Sequence, residues 1–422
     1  MNKVKLGDYI EAFGDGIHGT PVYDENGEYF FINGNNLIDG EITIDENTLR
    51  VSKTEYEKIK RPLGENSLLL SINGTLGRVA EYKNEKIALG KSACFLNIKD
   101  NVNKDFIRYV MLTQEFQKYI LLVAHGSTIK NLAPSQVADY EFSIPDSLDV
   151  NRMADLLKVI DNKIKNNKKI NAELESMAKT IYDYWFLQFE FPNEEGKPYK
   201  SSGGKMVWNE ELKREIPEGW EVSHVKDCIK HINTGLNPRD NFVLGNGSIK
   251  YITVKNLTTD GTIDFSGCDM IDEEARAIVH NRSDVSKNDI LFASIAPLGR
   301  CAIVYENPTD WDINESVFCI RPNNHIVSTE YLYMFFMSDY FIKKAEHNST
   351  GSVFSGIRIS SLEDMIITIP PEKIKDNFVK AIRETLYMKY ENEKQNQELA
   401  SLRDFLLPML MNGQIGFKDG ER

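Results

Sequence analysis

Much is scarce in these 422 residues, and each scarcity removes a class of explanation. Cysteine occurs five times, at Cys94, Cys228, Cys268, Cys301 and Cys319, never as a C-x-x-C pair. That argues against a disulfide framework or a thiolate zinc site and predicts reduced thiols. No run approaches the roughly 18 apolar residues that a membrane span needs. The opening MNKVKLGDYIEAFGD has no apolar stretch of the signal-peptide kind. The expectation is a soluble cytoplasmic protein. Positive charge is in deficit: 50 Lys and Arg against 63 Asp and Glu leave a formal net charge of -13. Bulk attraction to a polyanion is therefore not expected, although local basic faces can exist on an acidic protein.

Catalytic motifs are missing as well. ALGKSACF (88–95) has the Gly-Lys-Ser of a phosphate loop, but the Gly required five residues earlier is Glu85. No GxSxG, HExxH or GxGxxG stands in a strand–helix context. IPPEK (369–373) lacks the amide and the aromatic of an amino-methyltransferase tetrapeptide. The seven histidines are dispersed. The chain is expected to be no enzyme, to hold no metal and no cofactor of its own, and to bind something.

What is present is present twice. LLLSINGTLGRVAEY (68–82) and ILFASIAPLGRCAIV (290–304) lie about 220 residues apart. Other pairs follow in the same order. VKLGDYI (4–10) matches HVKDCIKHI (224–232), and FINGNNLIDGEI (31–42) matches YITVKNLTTDGTI (251–263). KSACFLNI (91–98) matches ESVFCIRP (315–322), and GSTIKNLAPSQVADYEFSIP (126–145) matches GSVFSGIRISSLEDMIITIP (351–370). NAELESM (171–177) matches NQELASL (396–402). A period this long is a duplicated domain, not a solenoid.

Each copy reads as a head followed by a helix. The expected parts are head 1 (1–148), a central helix (149–190), an exposed linker (191–217), head 2 (218–370), a C-terminal helix (371–412) and a tail (413–422). Short β-rich runs between NG, DG and Gly corners, with helical patches such as 106–123, make each head α+β with a largely antiparallel sheet. From Met153 to Trp185 apolar residues step by four and three, the seam of a coiled coil, with Asn167 and Asn171 on it. The second helix places Asn392 and Asn396 at matching positions, and Thr385 and Lys389 weaken its seam. Either each helix packs on its own head, or the two pair. Matching polar seam residues, which set register at some cost in stability, favour antiparallel pairing. The fold class is thus α+β: two similar α/β heads joined by two long helices pairing as an antiparallel coiled coil, a pseudo-two-fold object. Its natural target has two similar features at fixed separation, such as a bipartite duplex site.

SINGTLGR with SIAPLGR, the paired GST…SIP and GSV…TIP segments, the central DNKIKNNKKINAELESMAKTIYDYWF followed by IPEGWE, and the terminal NQELASLRDFLLPML together resemble the specificity subunit of type I restriction–modification systems. The resemblance covers nearly the whole chain. It implies two target-recognition domains reading double-stranded DNA and helices that dock two methyltransferase subunits. It further implies two restriction/translocase subunits. S-adenosylmethionine would act in the methyltransferase partners, and ATP with Mg in the restriction partners. The rival from another class is an adaptor with two protein-binding heads on a coiled-coil spacer.

Candidate DNA-binding residues follow from the loops. Arg78 and Arg300 succeed the Leu-Gly corners and suit a phosphate clamp, or an internal bond supporting the corner. Gly126, Ser127 and Thr128, with Gly351 and Ser352, offer backbone N–H groups and hydroxyls to a phosphate, or simply make turns. His125, Lys130, Asn131 and Arg358 differ between copies and are candidate base readers. Asn36 and Asn256, in NNL and KNL, bond adenine or close a turn.

Overall fold

The computed structural model describes residues 2–126, 130–144, 149–347 and 356–417. The chain divides into two compact units, one of residues 1–164 and 397–422 and the other of 165–396. The boundaries fall inside the two long helices.

Unit 1 is built on an antiparallel sheet in the order Ile10–Asp15, Ala93–Ile98, Ser67–Ser71, Val79–Glu81. A second, mixed sheet runs Arg50–Val51, Tyr29–Ile32, Ile87–Leu89, its last pair parallel. The parallel pair is the exception in a head that is largely antiparallel, as expected. It arises because the segment between Ile32 and Ile87 crosses over through the larger sheet, as parallel neighbours require. Asn2–Lys5 pairs with Glu141–Ile144 and draws the two ends of the head together. Helices α1 (Lys53–Ile59), α2 (Lys104–Leu112), α3 (Gln114–Val123) and α4 (Pro134–Ala138) precede α5 (Val150–Tyr182). The patch at 106–123 is two helices, not one. Thr113 breaks it with extended backbone and caps α3 by accepting from Phe116 N at 3.3 Å.

Unit 2 repeats this plan. Its antiparallel sheet runs Ile229–Thr234, Val317–Pro322, Ile290–Ala293, Cys301–Ile303, and its mixed sheet Asp269–Ile271, Ile249–Ile252, Trp311–Ile313. Glu221–His224 pairs with Ile366–Ile369. Helices α6 (Glu273–Ser283), α7 (Thr329–Met337), α8 (Asp339–His347) and α9 (Ile359–Glu363) precede α10 (Glu372–Met411). Even the caps recur: Ser328 and Ser338 stand where Asn103 and Thr113 stand in unit 1.

The stretch 191–217, expected as an exposed linker, is exposed over most of its length, but its ends are anchored in the core of unit 2. Phe189, Phe191 and Trp220 are buried in its core, and Phe191 stacks on Tyr199 with ring centroids 4.6 Å apart. Met206–Asn209 and Arg214–Pro217 form a hairpin. The aromatic residues supply enough apolar area to override the Gly, Pro and Ser around them. Among the described residues no helix is long and apolar enough to cross a membrane.

Candidate nucleic-acid interface

Strand direction gathers the loops. In unit 1 the chain leaves Asp15 and Ser71 at the same sheet end where it enters Val79 and Ala93. The parallel pair of the second sheet delivers Ile32 and Leu89 to one end as well, each followed by a loop. Gly34 N and Ser92 Oγ bond at 2.9 Å, and Ser92 Oγ donates to Asn33 Oδ1 at 3.0 Å. Ile72 N reaches Ser92 O at 2.9 Å. Hydrogen bonds thus tie the loops at 33–36, 72–78 and 90–92 together.

The loop around residues 125–131 joins them. His125 and Asn131 exchange backbone bonds of 2.9 and 2.7 Å, Gly74 N donates to Lys130 O at 3.3 Å, and Asn73 Nδ2 donates to Asn131 Oδ1 at 3.3 Å. Lys130 Nζ also donates to Leu121 O at 3.0 Å. His125 Nε2 lies 3.2 Å from the Gln136 amide. His125, Gly126, Lys130 and Asn131 are exposed. In unit 2 Ile357 N donates to Ser294 O at 2.9 Å and Ile295 bridges Gly356, which brings exposed Arg358 beside the corner. Ser127, Thr128, Gly351 and Ser352 lie outside the described residues.

The twin corners share their glycine. Gly77 and Gly299 both have positive φ, 84° and 86°. A Cβ at Gly77 would stand 2.2 Å from Gln117 Oε1 on α3, and one at Gly299 would stand 2.6 Å from Ile342 Cδ1 on α8. Glycine is required there by backbone and by space. The arginines that follow part company. Arg300 spends its guanidinium on backbone carbonyls: Nε to Pro297 O at 3.0 Å, Nη2 to Ile295 O at 3.1 Å and Ala296 O at 3.4 Å, and Nη1 to Val254 O. Burial pulls its pKa down. This is the internal support of the corner. Arg78 is exposed, and among the described residues its side chain has one long hydrogen bond, Nη1 to Asn35 O at 3.5 Å.

Asn36 and Asn256 close turns. Asn36 Oδ1 accepts from Asn33 N at 2.9 Å, and its Nδ2 donates to Thr43 O at 3.1 Å. Asn256 Oδ1 accepts from Thr253 N at 2.9 Å, its Nδ2 donates to Asp264 O at 2.9 Å, and the residue is buried. With both ends of each amide engaged in its own loop, neither is presented as a base reader, and the turn-closing role is the one the geometry describes.

On the helices, Asn167 Nδ2 donates to Asn396 Oδ1 at 3.0 Å, and Asn392 Nδ2 to Asn171 Oδ1 at 2.9 Å. Both contacts lie within unit 2, where α5 and α10 run antiparallel. Lys389, which weakens the apolar seam in the sequence, is buried and paired with Glu175 across it at 2.8 Å. Within unit 1 the same two helices meet through Asp161. It accepts from Arg108 at 2.7 Å, from Tyr109 at 2.8 Å and from Arg403 at 3.0 Å. Burial opposes the charge on Asp161, but these bonds outweigh it and hold the carboxyl below its usual range.

The sequence carries no signal for this cluster of four, nor for a binding role of Lys91 and Ser92. Lys91 and Ser92 stand in a stretch with the look of a phosphate loop and within one of the repeat matches. Its repeat partner NES (314–316) already marked it as part of the head. Among the described residues no group of three or more His, Cys, Asp or Glu could hold a metal ion.

A duplicated α/β head with its loops collected at one sheet end, each copy followed by a long seam-forming helix, defines a two-headed recognition protein. The chain belongs to the family described as the type I restriction modification DNA specificity domain, whose model matches residues 1–176 and again 217–400. The type I restriction enzyme MjaIX specificity subunit of Methanocaldococcus jannaschii is 27% identical over 407 residues, covering 94% of this chain and 86% of that one. The HindI specificity subunit of Haemophilus influenzae is 20% identical over 379 residues, covering 77% and 81%. Among solved structures, the type I restriction–modification S subunit from M. genitalium superposes with a TM-score of 0.56 at 16% identity, covering 97% and 96%.

Proposed function

We propose that this chain is the sequence-specificity subunit of a cytoplasmic type I restriction–modification complex, each head reading one half of a bipartite site in double-stranded DNA. One observation carries the reading: the same family-defining head occurs twice, with the same loops tied together at the same sheet end. Like scaffolds with unlike loops suit two different half-sites, because base edges are read by side chains while the scaffold sets register. The chain contributes recognition, and the chemistry belongs to its partners. Two methyltransferase subunits would bring S-adenosylmethionine, and two restriction/translocase subunits would bring ATP and Mg.

The helices support partner docking. Met177 and Leu402 occupy matching repeat positions and are 53% and 45% exposed. Tyr184, seven residues beyond Met177, and Phe405, three beyond Leu402, are exposed as well, though not at matching positions. An exposed apolar residue at the same repeat position of each helix fits a pair of identical partners.

Methylome sequencing tests the reading. A host expressing this chain with its methyltransferase partner should acquire one bipartite motif with an unspecific spacer. Exchanging residues 218–370 for the same head of a relative should change one half of that motif and leave the other intact. If both halves change together, the heads are not independent readers. The purified chain alone should turn over no S-adenosylmethionine.

A further inference from the structure

The loop groups tied together by hydrogen bonds in the two heads differ in charge although the scaffold is shared. In unit 1 the loops 33–36, 72–78, 90–92 and 125–131 contain no Asp or Glu. They carry Arg78, Lys91 and Lys130, all exposed. The hydrogen bonds from Ile72 N to Ser92 O and from Gly74 N to Lys130 O bring the loops holding Lys91 and Lys130 against the corner that holds Arg78. In unit 2 the counterpart of Lys91 is Glu315, which is exposed. The counterpart of Arg78 is Arg300, whose donors are spent on four carbonyls. Lys255 and Arg358 are exposed there, offset by that carboxylate.

Resting on the reading of the chain as a DNA-specificity subunit, we infer that the heads divide the work: Arg78, Lys91 and Lys130 of the first head anchor the duplex through phosphates. The second head contributes less anchoring, and its share of recognition rests more on neutral loop groups. The reason is electrostatic. Neutralising a phosphate releases condensed counterions, so each cation that reaches one adds to affinity and to its salt dependence. A guanidinium already saturated by carbonyls adds little, and a nearby carboxylate subtracts. This arrangement also reconciles duplex binding with a net charge of -13, since the cations need only be local.

The test uses the full chain and a fluorescein-labelled mixed-sequence duplex of about 40 base pairs, long enough for non-specific binding, titrated across a NaCl series. Arg78→Gln, Lys91→Gln and Lys130→Gln should each reduce the slope of log affinity against log salt by about 0.9. Near 0.1 M salt each should weaken binding roughly eightfold. Arg78→Lys should keep the slope, and Glu315→Lys should steepen it. Because phosphate contacts carry no sequence information, the triple Gln variant, expressed with its methyltransferase partner, should leave the methylated motif unchanged. A triple variant that melts like the parent yet keeps the parental slope overturns the assignment and leaves the specificity-subunit reading standing. A parental chain that shows no salt-dependent duplex binding, with or without that partner, overturns both.

Discussion

Unit 1 and unit 2 solve the same packing problem with different chemistry. Where α2, α5 and α10 meet in unit 1, Asp161 binds Arg108, Tyr109 and Arg403. At the matching positions of unit 2 stand Leu386, Tyr333, Met334 and Ala178, all buried in one hydrophobic cluster. One copy holds the site with a charge network and the other with apolar contact. The corner arginines differ in the opposite sense: unit 2 uses Arg300 internally, and unit 1 leaves Arg78 at the surface. A scaffold fixed by glycine corners, capped helices and strand order therefore tolerates exchange of what sits between its elements. That tolerance lets one fold carry two specificities.

The comparison breaks most severely at Asp161. Asp161→Asn removes the carboxylate shared by two largely buried arginines, leaving Asp105 at 4.0 Å from Arg108 and the exposed Asp404 beside Arg403, and should cost unit 1 about 3 kcal/mol. Urea unfolding should show this, while Leu386→Met at the matching place in unit 2 should cost less than about 1.5 kcal/mol. The Asp161 carboxyl is held below its usual range in the fold, so its stabilisation is complete above the unfolded value near 3.9 and is lost as pH falls through the folded one. The gap between parent and Asp161→Asn should accordingly narrow only below about pH 4.

The corner glycines should show where the units agree. Gly77→Ala and Gly299→Ala each force a left-handed residue and a clash with the neighbouring helix, for a loss of about 2 kcal/mol in either unit. The arginines should then separate them. Arg300→Ala strips the donor from four carbonyls and should cost about 1–2 kcal/mol, whereas Arg78→Ala should stay within about 0.5 kcal/mol. Thermal melts of the two variants decide this.

The smallest expected effect lies in the seam. Replacing Asn167, Asn171, Asn392 and Asn396 with Leu should raise stability slightly and loosen register, since apolar layers slip where amide pairs do not. Cysteine pairs introduced at neighbouring seam positions would report it. Crosslinking confined to one register in the Leu variant would contradict the role given to the amides.

The duplication could be read directly, because each copy keeps the same corners and strand spacing in the same order. The paired helices were legible from the step of three and four and from Asn at matching places. Thr113 was not legible as a break, because its neighbours keep a helical apolar rhythm through it. The anchoring of the ends of 191–217 was not legible because Gly, Pro and Ser are local signals. The burial of Phe191 against Trp220, with Tyr199 stacked on it, depends on residues that meet only in the folded chain.

By itself the sequence determined that two like heads alternate with two helices, that glycine turns each corner, and that no catalytic motif of the kinds sought accompanies them. These follow from composition and spacing, which act locally along the chain. Only the tertiary structure decided which twin arginine is spent and which is presented. The carbonyl of Val254 that takes Arg300 comes from 46 positions away. It decided likewise that Lys91 belongs to the same loop group as Arg78 and Lys130. A side chain's role depends on the groups that folding brings to it, and in this chain identical corners meet different neighbours.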